Sequence, residues 1–173
     1  MIESLNSFFL WLDLGDFVGK NDWVWPICEI LHFFGMAAII GTVGLTDARM
    51  LGLAKGIPIK ALEKFIPLGV IGFLINIVTG VIFIAGNPVG GPIEYLTNLA
   101  LQLKMLLVLI AGINLLAFYF TGIEKKVAGL PADGDAPTGA KVVAIVSLIA
   151  WFGVIFMGRL IMYNDTLLYA LGL

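Results

Sequence analysis

Whatever chemistry this sequence performs must run through few side chains, since it holds one histidine and one cysteine. Cys28, His32 and Met36 are spaced i, i+4 and i+8, which on a helix is a single stripe facing one direction. Soft sulfur beside an imidazole suits Cu(I), and Met105 or Met157 could complete such a set. The stripe reads equally as packing, because free Cys and Met are common apolar fillers. Haem b is the other cofactor that His32 could ligate. With no second histidine, the far face of the iron would fall to Met105, Met157 or a second copy of the chain. Glu29-Ile30-Leu31-His32 is half of a carboxylate-bridged di-iron motif. The later apolar segments carry no acids to finish it, so a di-iron centre within one chain is excluded.

Depth links His32 to three charged residues. At ~1.5 Å rise per residue, Glu29 lies about 6 Å below Trp25, His32 about 10 Å, Lys104 about 9 Å below Asn98, and Arg159 about 6 Å from Tyr163. An isolated charge at such depth in lipid costs a few kcal/mol, so partners are expected, and Glu29 with Lys104 and Arg159 is the natural pairing. The cluster is then either an ion-paired pin with Lys and Arg snorkelling outward, or a functional site. Outside a cofactor role, His32 is a hydrogen-bonding partner for Glu29. Asn76 and Asn114 are expected to bond between helices, and Asp47 with Arg49 to form an interfacial pair. No nucleophile elbow, phosphate-cradling glycine loop or zinc-protease motif occurs, so no catalytic residue is assigned.

The elements that must hold these residues follow from composition. Of 173 residues, 60% are hydrophobic and 13% charged, against a usual ~45–50% and ~25%, which makes lipid the solvent. Ten Lys+Arg against twelve Asp+Glu leave no basic field for nucleic acid. A bilayer core about 30 Å thick needs roughly 20 apolar residues per helix. Four segments meet that requirement: Trp23 to Thr46, Pro67 to Ala85, Leu99 to Thr121 and Val142 to Tyr163. Before them, Ile2, Leu5, Phe8, Phe9 and Leu12 alternate at helical spacing with acids and Asn6. The predicted fold is therefore an all-α integral membrane protein: a four-transmembrane-helix bundle over residues 21–173, preceded by an amphipathic interfacial helix over 1–20.

Within this frame, Asn21-Asp22 is placed to cap the first span. Ala37 with Gly41 and Gly44, Gly69 with Gly72, and Gly153 with Gly158 offer faces for close helix packing. Asn87 to Pro92 reads as a turn cluster, and Gly129 to Thr138 as the most mobile loop. Arg49, Lys55, Lys60, Lys64, Lys125, Lys126 and Lys141 fall in the two loops that share a side. Basic loops stay inside, so both termini face the periplasm of a bacterial inner membrane.

Three stretches resemble a family of small bacterial four-span membrane proteins of unknown function, itself distantly like the membrane domain of copper-resistance protein D. They are Ile30-Leu31-His32-Phe33-Phe34-Gly35 running into Leu45-Thr46-Asp47-Ala48-Arg49-Met50-Leu51-Gly52, then Leu103-Lys104-Met105-Leu106 with Ala111-Gly112-Ile113-Asn114, and Trp151-Phe152-Gly153-Val154-Ile155 leading to Gly158-Arg159-Leu160-Ile161. The resemblance implies a four-helix inner-membrane bundle with His32, Asp47, Arg49, Lys104, Asn114 and Arg159 at recurring polar positions. It implies no activity. Members often carry a second histidine near the end of span three, where this chain has Phe118, Tyr119 and Phe120.

The expected function is that of a non-enzymatic membrane protein, an accessory or structural subunit of a larger membrane complex or a homo-oligomer, with lipids and other membrane subunits as partners. The alternative is a haem- or copper-binding redox or metal-handling protein built around His32. Binding of a quinone near His32 and Arg159 is a third reading.

Overall fold

The computed structural model describes residues 1–172, and among them every regular element is helical. Val24–Met50, Ile59–Ala85, Leu99–Phe120 and Thr138–Leu171 are long and apolar enough to cross a bilayer. They are spans one to four of an all-α, multi-pass membrane bundle. Runs of Leu, Ile, Val and Phe without water must satisfy every backbone N–H and C=O internally, and the helix does so within each segment. The spans extend past the segments expected from hydropathy. Span one continues to Met50 through a wide turn at Ile40–Gly44, where bonding shifts to i→i+5. Span two is led by Ile59–Leu62 and a tight turn at Glu63–Phe65. Span four is regular to Leu160, tightens at Ile161–Tyr163 and resumes as Asn164–Leu171.

The spans pack as two hairpins. One joins spans one and two, the other spans three and four, and the hairpins meet where span four lies on Leu45–Met50. Small residues set the first crossing. A Cβ added at Gly72 would lie 2.6 Å from the Gly35 carbonyl oxygen and 2.9 Å from Ala38 Cβ, so the two backbones are in direct contact. Close approach of this kind is how helices associate when lipid removes the hydrophobic drive. The face predicted from Ala37 and Gly41 is not the one used. Both residues are exposed, and Gly41 has nothing within 4 Å of a built Cβ. In the second hairpin, Gly153 accommodates Leu107.

The end of the bundle that holds both termini is stitched by asparagines. Asn98 caps span three by accepting from Leu101 N–H at 3.1 Å and donates to the Ile161 carbonyl at 3.0 Å. Asn164 Oδ1 accepts from Leu99 N–H at 3.0 Å. The predicted single helix over 1–20 is broken in two, Ile2–Trp11 and Gly15–Lys20. The break is at Asp13, whose φ of +50° lies in the left-handed region that short polar side chains tolerate. Ile2–Trp11 packs on Gly91–Thr97, a short helix hidden in sequence behind the Gly- and Pro-rich turn that opens it. Asn21 does not cap span one. Its amide donates back to the Phe17 carbonyl at 2.7 Å, and span one begins at Trp23 with no side-chain cap.

At the opposite end Arg49, fully buried, holds the two loops together. Its Nε donates to the Ile57 carbonyl at 2.8 Å. Nη2 faces the carbonyls of Pro131, Ala132 and Gly134 at 3.1, 2.6 and 3.1 Å, three acceptors sharing two hydrogens. Gly56 N–H adds a bond to Ala132 O, and Lys55 pairs with Asp135 at 2.9 Å. That ammonium holds the Asp135 carboxyl below the usual carboxylate range. The segment expected to be the most mobile, Gly129 to Thr138, is thus clamped by backbone acceptors that composition does not reveal.

Candidate functional site

The polar groups of the bundle meet at His32, on the side of span one that faces span two. Thr79, buried on span two, donates its hydroxyl proton to the Ile75 carbonyl at 2.7 Å. With its proton so used it accepts from His32 Nδ1, also 2.7 Å away, and the imidazole is assigned as the Nδ1–H tautomer on that network. The free lone pair is on Nε2, and the Lys104 ammonium of span three donates to it at 3.3 Å. Lys104 reaches that position past Gly158, against which the lysine stem packs at van der Waals distance. The result is a one-way hydrogen-bond chain, Lys104 to His32 to Thr79 to Ile75 O, crossing three spans. Phe83 walls it, with its ring 5.4 Å from the imidazole and 5.0 Å from the indole of Trp25.

The pairing expected for Glu29 is not made. Glu29 is exposed and accepts from the Trp25 indole one turn earlier at 3.2 Å. It stands near Tyr95 in the helix Gly91–Thr97, whose phenol is pushed above its ordinary value by burial and then by the carboxylates of Glu29 and Glu94. Arg159 is exposed too, its guanidinium 5.8 Å from the Tyr163 ring centre. Depth was matched; rotation about each helix was not. His32 accordingly bonds Lys104 and Thr79 rather than Glu29.

Asn114 donates to the Val143 carbonyl at 3.0 Å, joining spans three and four. Asn76 bonds within its own helix, to Gly72 O at 2.9 Å, its amide nitrogen filling the space that a side chain on Gly35 would take. Asp47 and Arg49 do not pair. Two residues apart on a helix they point to nearly opposite sides, and Arg49 is committed to the loops. Sequence reasoning passed over Thr79, a conspicuous signal in hindsight: with Asn76 it is one of two hydrogen-bonding side chains in Ile66–Ala85, a turn apart on one face.

The donor set does not fit a haem iron or copper. A metal would need the Nε2 lone pair, which Lys104 occupies, and a cation there would lie against an ammonium. Cys28 is buried, Met36 partly buried and Met105 exposed. Among the described residues no three His, Cys, Asp or Glu side chains converge. Protein purified after growth with copper and a haem precursor is expected to show no Soret band and no stoichiometric copper. A Soret band abolished by His32→Ala would overturn that reading.

Compared with family models, curated proteins and solved structures, the chain matches none.

Proposed function

We propose that this chain is a non-enzymatic membrane subunit, an accessory or structural component that packs against a larger membrane complex or a second copy of itself. One observation carries the reading: both nitrogens of the only histidine are spent on joining span one to spans two and three. The buried polar groups act as a pin, which fixes how the spans are rotated against one another. Polar interhelical bonds in bilayers contribute about 0.6 kcal/mol each, so their value lies in register more than in strength.

The membrane is the bacterial inner membrane. The resemblance of the three motif stretches to small four-span bacterial proteins supports this, and so does the charge pattern. The loops after spans one and three, with the span ends beside them, carry Arg49, Lys55, Lys60, Lys64, Lys125, Lys126 and Lys141, which supports a cytoplasmic position for that end and a periplasmic one for the end with both termini. There the helix Ile2–Trp11 presents Phe8 and Trp11, exposed by 52% and 76%, to the lipid interface.

Purification from native membranes in mild detergent is expected to return the chain with a stoichiometric partner or as a defined oligomer. A cofactor-free monomer recovered alone, at the same yield with and without crosslinking before extraction, would refute the proposal.

A further inference from the structure

The two hairpins pack through spans one and four and are pinned by Lys104 on His32, whereas spans two and three stand apart. Between them lies a cavity of about 680 Å³ in the half of the bundle near the clamped loops. Its walls include residues left open on each side, among them Val70 of span two and Leu115 of span three, exposed by 53% and 56%. It opens sideways into the lipid. The volume is that of a small-molecule site, typically ~300–1,000 Å³. A membrane-crossing helix, roughly 10 Å wide and 30 Å long, occupies several times more, which argues against a partner's span as the occupant.

The lining is apolar with one sign of charge. Among the described residues that line it, the ionisable ones are Asp47, Glu63, Glu124 and Tyr119, and none is basic. Asp47 lines the cavity with 3% of its surface exposed, and its Oδ2 has no hydrogen-bond partner. Ser147 of span four is within hydrogen-bonding reach of the carboxyl, so Oδ2 is the oxygen left open, and Arg49 is turned away to the loops. A carboxylate oxygen left unpaired in a low-dielectric wall is costly, and an arriving positive charge relieves the cost. Phe118, Tyr119 and Trp151 add ring faces that attract cations. A fatty acid or other anionic lipid would meet three carboxylates and no base.

We propose that this lateral cavity is a binding site for a lipophilic cation, its charge seated against Asp47 and its apolar body between spans two and three. The wide turn at Ile40–Gly44 fits that role. It changes the rotation of the last part of span one, and Thr42, Val43 and Asp47 all line the cavity.

Tetraphenylphosphonium and tetraphenylborate, ions of nearly the same shape and opposite charge, supply the test. The full chain in mild detergent is titrated with each by calorimetry, against protein-free micelles. Tetraphenylphosphonium should bind saturably near one per chain, and tetraphenylborate should not. Asp47→Asn should weaken the cation at least tenfold, and Glu63→Gln or Glu124→Gln several-fold. Gly112→Phe keeps the test valid should Asp47→Asn fail to fold. Gly112 lines the cavity with nothing within 4 Å of a built Cβ, so a side chain can start there without meeting backbone, and a ring turned into the cavity should abolish binding. Equal binding of both ions, or cation binding unchanged by Asp47→Asn or by Gly112→Phe, would overturn the proposal. Saturable binding of a neutral quinol with no binding of the phosphonium would do the same.

Discussion

Replacing Arg49 by alanine should destabilise the folded bundle by about 4 kcal/mol, since each buried carbonyl left without its donor costs about 1–3 kcal/mol and some will recover water as the loops part. The side chain serves four acceptors in two loops, at Ile57 and at Pro131, Ala132 and Gly134. An apolar cluster of Met50, Ile59, Val127 and Ala136 and the Gly56–Ala132 backbone bond also join them, but neither replaces the donors these carbonyls lose; the Lys55–Asp135 pair is exposed, and such pairs contribute little. Arg49→Lys should rescue less than half of the loss. A single ammonium cannot reach Ile57 and the 131–134 carbonyls from one position, whereas the planar fork does. Two measurements check this. The midpoint of unfolding in a denaturing-detergent titration should fall sharply, and trypsin should cut at the exposed Lys125 and Lys126 at least tenfold faster in native conditions. Wild-type values in both for Arg49→Ala would show that the guanidinium is not what holds the loops.

The same residue shows what the sequence disclosed and what it withheld. Span number and approximate position were legible because lipid imposes a length and an absence of charge, and uncharged runs such as Phe65 to Ile93 announce themselves. Depth was legible as well: His32 and Lys104 do meet, at the level the rise per residue assigns. Azimuth was not. Glu29 and Arg159 share that level but face outward, because rotation about a helix axis is set by packing partners, for the start of span one the Gly35–Gly72 contact. The Asp47–Arg49 pairing was a different kind of error, since residues two apart lie about 200° around a helix and cannot pair side by side. Arg49's actual acceptors are backbone carbonyls of distant loops, which carry no residue-type signal. Cavities are equally silent in sequence, for they arise where two hairpins fail to close, and no single segment encodes a gap.

Gly72→Leu should damage the crossing of spans one and two, costing about 3 kcal/mol or more, at or above the top of the ~1–3 kcal/mol that overpacking usually costs. The reason is the identity of what the new atoms would meet. At most core positions a larger residue displaces side chains, which have other rotamers; at Gly72 the first added carbon already meets the Gly35 carbonyl at 2.6 Å and Ala38 Cβ at 2.9 Å. Backbone must move, and spans one and two must separate along the crossing. That separation reaches the polar network, since Thr79 lies two turns further along the same face and meets His32 at 2.7 Å. Loss of Gly72 should therefore weaken two things together: resistance to denaturing detergent, and the protected state of the His32 ring, whose Nδ1 proton should exchange faster by NMR. Gly80 supplies the control, on the same helix with nothing within 4 Å of a built Cβ. Gly80→Leu should be neutral or slightly stabilising, because a residue that fills open space also removes glycine's unfavourable helix propensity of about 1 kcal/mol. If the two substitutions cost the same, direct backbone contact at Gly72 would not be what sets the first hairpin, and the rotation that delivers His32 to Thr79 would need another cause.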